Sequence, residues 1–152
     1  VGIAAQDILD PVTFQDRYGK LSSVNYDGMR RLISITDPKG NYETLTWCTC
    51  GVLDTAVRGG PGTATETTLY GHFNDGELSQ INAPVNRTVN FQYDVAGNLT
   101  QVTTAAGATT LTYNNQGLQV KASGPAGILR KVDFDIYDRP ITITDENGVP
   151  VL

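Results

Sequence analysis

Residues 93–102 read Tyr93-Asp94-Val95-Ala96-Gly97-Asn98-Leu99-Thr100-Gln101-Val102, and an earlier stretch, Tyr26-Asp27-Gly28-Met29-Arg30-Arg31-Leu32-Ile33-Ser34-Ile35, follows the same grammar. An aromatic is followed by Asp or Asn, two variable residues, a Gly position, one residue, Leu, two residues, then Val or Ile. The Gly position is filled by Gly19, Arg30, Gly51, Gly76, Gly97, Gly117 and Asp138, with gaps of 11, 21, 25, 21, 20 and 21 residues. A period of about 20–25 residues signals stacked units, none of which can bury its apolar face alone.

A second series of turn residues falls midway: Gly40, Gly62, Asn86, Gly107, Gly127 and Gly148. Two turns per repeat, about ten residues apart, leave two short strands each. The incoming strand alternates: Val89, Phe91 and Tyr93 share one face while Asn90 and Gln92 share the other, as in a sheet with one solvated face. On the outgoing strand Leu99 and Val102 are three apart, so a bulge in each repeat is needed to bring them to one face. The Asp or Asn can bond backbone N–H groups two residues on, with Gly supplying a positive φ. Arg tolerates that geometry poorly, so Arg30 is expected to use a different turn. Tyr26, Trp47, Tyr93, Tyr113 and Phe134 are expected to form a largely buried row. Residues 59–68, rich in Gly and Thr, read as an exposed loop. No window carries helical periodicity, and no apolar run is long enough to span a membrane.

The repeated phrase, followed by Thr36-Asp37-Pro38-Lys39-Gly40, resembles the YD repeat of the Rhs family, which includes bacterial polymorphic toxins, shell subunits of insecticidal toxin complexes, wall-associated proteins and teneurin ectodomains. The expected fold is all-β: an antiparallel meander of stacked hairpins forming a curved or spiralling sheet. Residues 1–13 are expected as an N-terminal arm or cap, 14–148 as six to seven repeats, and 149–152 as an incomplete next strand. The resemblance implies a sheet of the kind that coils into a hollow shell. It does not carry over the self-cleaving segment or toxic tail of such shells, whose motifs are not found here.

Acidic and basic residues number 16 and 11, a net charge of −5, and no basic stripe exists to neutralise phosphates. Nucleic acid and anionic membranes are therefore not expected partners. One His and no nucleophile elbow or phosphate loop leave no catalytic, cofactor or metal site to nominate, and the chain is expected not to be an enzyme. His72 stands at the aromatic position of its repeat. The acidic residues Asp133, Asp135, Asp138, Asp145 and Glu146 do not match a calcium loop. Cys48 and Cys50 are a candidate disulfide or a pair of free thiols. Asn86 and Asn98 head candidate glycosylation sequons.

Three functions fit this reading. The first is a secreted or cell-surface structural protein whose copies join head to tail into a fibre, the N-terminal arm of one docking at the open C-terminal edge of the next. The second is a fragment of an Rhs-type toxin-encapsulating shell, whose neighbours are the rest of a larger chain. The third is an adhesive or carbohydrate-binding module using Tyr42, Tyr70 or Tyr137.

Overall fold

A computed structural model describes residues 3–7 and 10–151. The described residues are all-β, an open antiparallel meander in which strand order is chain order. The chain divides into two compact units, Val1–Glu77 with Asn82–Asn86, and Leu78–Ile81 with Arg87–Leu152.

The first unit contains β1 (Ile3–Asp7), β2 (Asp10–Gln15), β3 (Leu21–Tyr26), β4 (Leu32–Thr36), β5 (Tyr42–Trp47), β6 (Leu53–Gly60) and β7 (Thr63–His72). Each pairs antiparallel with the next. β8 (Leu78–Ala83) has residues in both units. The second unit continues with β9 (Arg87–Tyr93), β10 (Leu99–Thr104), β11 (Gly107–Tyr113), β12 (Gln119–Gly124), β13 (Gly127–Phe134) and β14 (Pro140–Asp145), again paired in order.

Register separates the two faces. In the first unit Val24 lies opposite Ile35, Tyr26 opposite Leu32, Leu45 opposite Ala56 and Trp47 opposite Leu53. In the second, Phe91 meets Val102, Tyr93 meets Leu99, Leu111 meets Ala122 and Val132 meets Ile143. Asn25–Ser34, Thr46–Thr55, Gln92–Gln101 and Thr112–Lys121 occupy the other, polar face.

The required bulge is present. Between Tyr93–Leu99 and Gln92–Gln101 the outgoing strand carries one extra residue, Thr100. Ile33, Asp54, Val120 and Ile141 are skipped in the same way beside Tyr26, Trp47, Tyr113 and Phe134. Each bulge turns the residue three beyond the Leu position back onto the apolar face, which explains the spacing of Leu99 and Val102.

The assignment of Gly19 requires correction. Successive turns of a meander alternate between its two rims, and the β2–β3 hairpin runs in unbroken register from Thr13–Ser23 to Gln15–Leu21. Gly19 therefore belongs with Gly40 and Gly62 in the mid-repeat series, and the 11-residue gap marks a change of rim. Arg30 also differs from expectation. It adopts φ 64°, and its N–H donates to the Asp27 carbonyl at 3.0 Å, as Gly97 N–H does to Asp94. An ion pair from Arg30 Nε to Asp10 Oδ2 at 2.7 Å accompanies the strained backbone.

None of the five aromatics expected in a row is fully covered. Tyr26, Trp47, Tyr93, Tyr113 and Phe134 are all half-buried. Among the described residues the buried hydrophobics are Val24, Ala56, Ala122 and Val132. The reason is the single layer, since among the described residues no second element packs over the apolar face.

Residues 59–68 are not a loop either. Longer strands β6 and β7 absorb the insertion and close tightly at Pro61–Gly62. The expected N-terminal arm continues the meander instead, Ile3 pairing with Phe14 and Ala4 with Thr13; residues 1, 2, 8 and 9 lie outside the described set. At the other end Val151 N–H donates to the Ile143 carbonyl at 2.7 Å and Pro150 bridges to Thr144. Each described terminus thus pairs with its own chain along one edge, β1 with β2 and residues 150–151 with β14.

Candidate functional site: the bonded turns

The recurring built element is the turn that follows each aromatic. Asp94 shows its bonding. Its N–H donates to the Asn98 carbonyl at 2.9 Å, and its own carbonyl accepts from Gly97 N–H at 3.0 Å. Its Oδ1 accepts from Ala96 N–H at 2.9 Å and from Asn98 N–H at 3.0 Å. The carboxylate thus satisfies two backbone donors that a tight turn leaves unpaired. Asp27, Asn114 and Asp135 do the same on this rim. Asp16, Asp37 and Asp145 do so on the mid-repeat rim.

In four turns the residue four positions on holds the second carboxylate oxygen. Arg31 Nε reaches Asp27 Oδ2 at 2.7 Å, Asn41 Nδ2 reaches Asp37 at 2.7 Å, Asn98 Nδ2 reaches Asp94 at 3.0 Å, and Arg139 Nε reaches Asp135 at 2.8 Å. These bonds depress the carboxyl pKa values. For Asp27 the main cause is the Arg31 backbone N–H; for Asp37, Asp94 and Asp135 it is the side chains of Asn41, Asn98 and Arg139. Sequence reasoning missed this position. Its signal was there to find, an Arg or Asn immediately after the Gly position in four turns.

The aromatics tie one repeat to the one before. Trp47 Nε1 donates to the Leu32 carbonyl at 2.8 Å, and Tyr113 Oη donates to the Leu99 carbonyl at 2.7 Å. Both acceptors sit beside a bulge. Arg31 lies over the Trp47 ring, 5.4 Å from its centre, while paired with Asp27.

One turn is built differently. Cys48 takes the Asp position and is disulfide-bonded to Cys50, with Cα atoms 5.2 Å apart. Its Sγ accepts from Cys50 N–H at 3.0 Å. At the next turn Phe73 takes the Asp position, its N–H donating to the Glu77 carbonyl at 2.8 Å.

Asn98 spends its amide nitrogen, the atom a glycan would occupy, on Asp94. Asn86 sits at φ 56° in an exposed turn. Asp133 pairs with Lys131 at 3.0 Å. Tyr42 packs across Gly59, where a Cβ would meet its ring. Tyr137 is 72% exposed at a turn tip, with the Arg139 guanidinium 5.4 Å from its ring centre. An open groove of about 580 Å³ in the second unit is lined by Asp94, Asn98, Tyr113, Asn114 and Gln116.

Comparison with known proteins agrees with this geometry. The family model described as RHS Repeat matches residues 74–109 and 93–129. That stretch consists of RHS repeats, the YD-type unit read from the sequence. Among solved structures, the crystal structure of TcdB2-TccC3 without its hypervariable C-terminal region matches with a TM-score of 0.74 and 14% identity. The crystal structure of TcdB2-TccC3 matches with a TM-score of 0.72 and 14% identity. In both cases the match covers 82% of this chain and 7% of the other, so the chain spans a small fraction of the proteins it resembles. At this identity the likeness is one of fold. No curated protein matches the sequence.

Proposed function

We propose that this chain is a stretch of wall in an Rhs-type shell, a non-enzymatic scaffold within a longer repeat chain that is secreted or displayed at the cell surface. The observation that carries this is the single-layer sheet with two unlike faces. A wall separates two spaces, and here one face is Thr-, Gln- and Asn-rich while the other is apolar and only half covered. The RHS repeats and the fold likeness to TcdB2-TccC3 support the reading. In a closed wall the apolar face would line the enclosed space and the polar face would meet solvent.

A fibre assembled head to tail is less well supported, because β1, the segment needed as its docking arm, is paired with β2. The carbohydrate reading loses Tyr42, whose ring is engaged across Gly59.

Hydroxyl-radical footprinting tests the wall. In the intact protein that carries this chain, Phe91, Leu111 and Phe134 should be labelled several-fold less than in the isolated 152-residue chain. Lys121 and Thr112 on the polar face should be labelled equally in both. Equal labelling of the apolar face in both samples would contradict an enclosed lumen.

A further inference from the structure

The Cys48 turn stands apart from the scaffold role, because it puts redox chemistry where Asp27, Asp94, Asn114 and Asp135 put a structural oxygen in the other turns that follow an aromatic, Phe73 being the one other exception. We propose that Cys48 and Cys50 form a reversible thiol–disulfide exchange site for small thiols, in which Cys50 is the sulfur attacked and Cys48 the thiolate that leaves.

Three observations carry this. First, the turn does not need the disulfide. Cys48 N–H donates to the Val52 carbonyl at 3.0 Å and Gly51 N–H to the Cys48 carbonyl at 3.1 Å, the same backbone bonds that close the Asp27 and Asp94 turns. A bridge across two residues adds little loop-closure constraint, so its opening leaves the hairpin standing.

Second, the position of Cys48 is an anion cradle. In seven other turns the atom at this place is an Asp or Asn oxygen receiving the N–H groups two and four residues on. In this turn the Cys50 N–H already points at Cys48 Sγ. A thiolate released there enters a site built to hold negative charge, which makes Cys48 the better leaving group. The charged groups of the preceding turn, Arg31 and Asp27, are paired with each other, and Arg31 Nη1 lies 3.5 Å from the Cys48 carbonyl.

Third, access favours Cys50. It is exposed at the turn tip, while Cys48 is half-buried beside Trp47.

The chemistry balances with a thiol as the only co-reactant. A glutathione thiolate attacks Cys50 Sγ, forming a mixed disulfide as the Cys48–Cys50 bond breaks and its electron pair leaves on Cys48 Sγ. A second glutathione thiolate attacks the glutathione sulfur of that adduct, releasing Cys50 thiolate and glutathione disulfide. Two thiols are oxidised and one disulfide is reduced; the thiol protons pass to water or to the cysteines. Glutathione disulfide drives the reverse sequence.

The test uses the 152-residue chain in millimolar glutathione, quenched with acid and mapped by peptide mass spectrometry. The adduct should lie on Cys50 in at least about threefold excess over Cys48, and added glutathione disulfide should restore the bridge. In single-cysteine variants, Cys48 of C50S should react with iodoacetamide at neutral pH at least about threefold faster than Cys50 of C48S. If either variant fails to fold by circular dichroism, the adduct position in the parent decides. An adduct mainly on Cys48, a pair that millimolar glutathione does not open, or equal alkylation of the two variants overturns the proposal.

Discussion

At the residue scale the repeat is a device for satisfying backbone donors, and its signature Asp is an acceptor rather than a catalytic acid. The titration of those carboxyls follows. Asp27, Asp37, Asp94 and Asp135 are depressed by N–H groups that bond the ionised form. Their folded pKa lies below the unfolded one, so the stability they supply is complete above about pH 4 and is lost as pH falls through the folded values. Carbon-detected NMR titration of the Asp carboxyls should place these four below the model-peptide range, and a value at or above it for Asp94 would contradict the bonding. Arg30 gives a prediction of opposite sense. At φ 64° an Arg costs about 1–2 kcal/mol that Gly does not, whereas its exposed ion pair with Asp10 contributes about 0–1 kcal/mol. Arg30→Gly should therefore stabilise by about 0–2 kcal/mol in thermal unfolding, and a clear loss of stability would show the ion pair to dominate. The sequence phrase located these turns because Asp, Asn and Gly have local reasons to be there. It misjudged Arg30 because the tertiary ion pair and the cooperative ladder around it have no local signal.

At the element scale the unit is a bulged hairpin tied to its neighbour by an aromatic donor and by stacked mid-repeat turns. Gly107, at φ 122°, lies directly against Pro125 of the next mid-repeat turn, where an added Cβ would collide with the ring. Gly127, at φ 127°, has open space around it. Both Gly→Ala changes strain the backbone, by about 1–2 kcal/mol, but only Gly107→Ala also meets Pro125. It should unfold at the lower denaturant midpoint, and P125A should recover part of the difference. Equal midpoints for the two would mean that the turns do not stack. Strands, turns and bulges were legible because a period of two broken at Leu99–Val102 admits few other readings. The rim of Gly19 was misread from turn chemistry, which is the same on both rims; the 11-residue interval was the better guide. The hairpin formed by β6 and β7 was hidden because Gly- and Thr-rich sequence suits a loop and an exposed strand equally.

At the scale of the whole molecule, the row of aromatics looked like core because apolar alternation reports which face a residue is on, not whether anything covers that face. The half-buried state of Tyr93, Tyr113 and Phe134 is the direct result of one layer. That open apolar face, more than any single residue, is what the wall accounts for. Nothing in the bonded turns favours a filament over a shell, and function was legible only through the resemblance of the repeat. Electron cryomicroscopy of the intact protein that carries this chain is the most direct measurement. The account predicts closed, hollow particles with this meander in the wall, its apolar face turned inward. Filaments with this chain as the repeating subunit, or a sheet with both faces open to solvent, would contradict it.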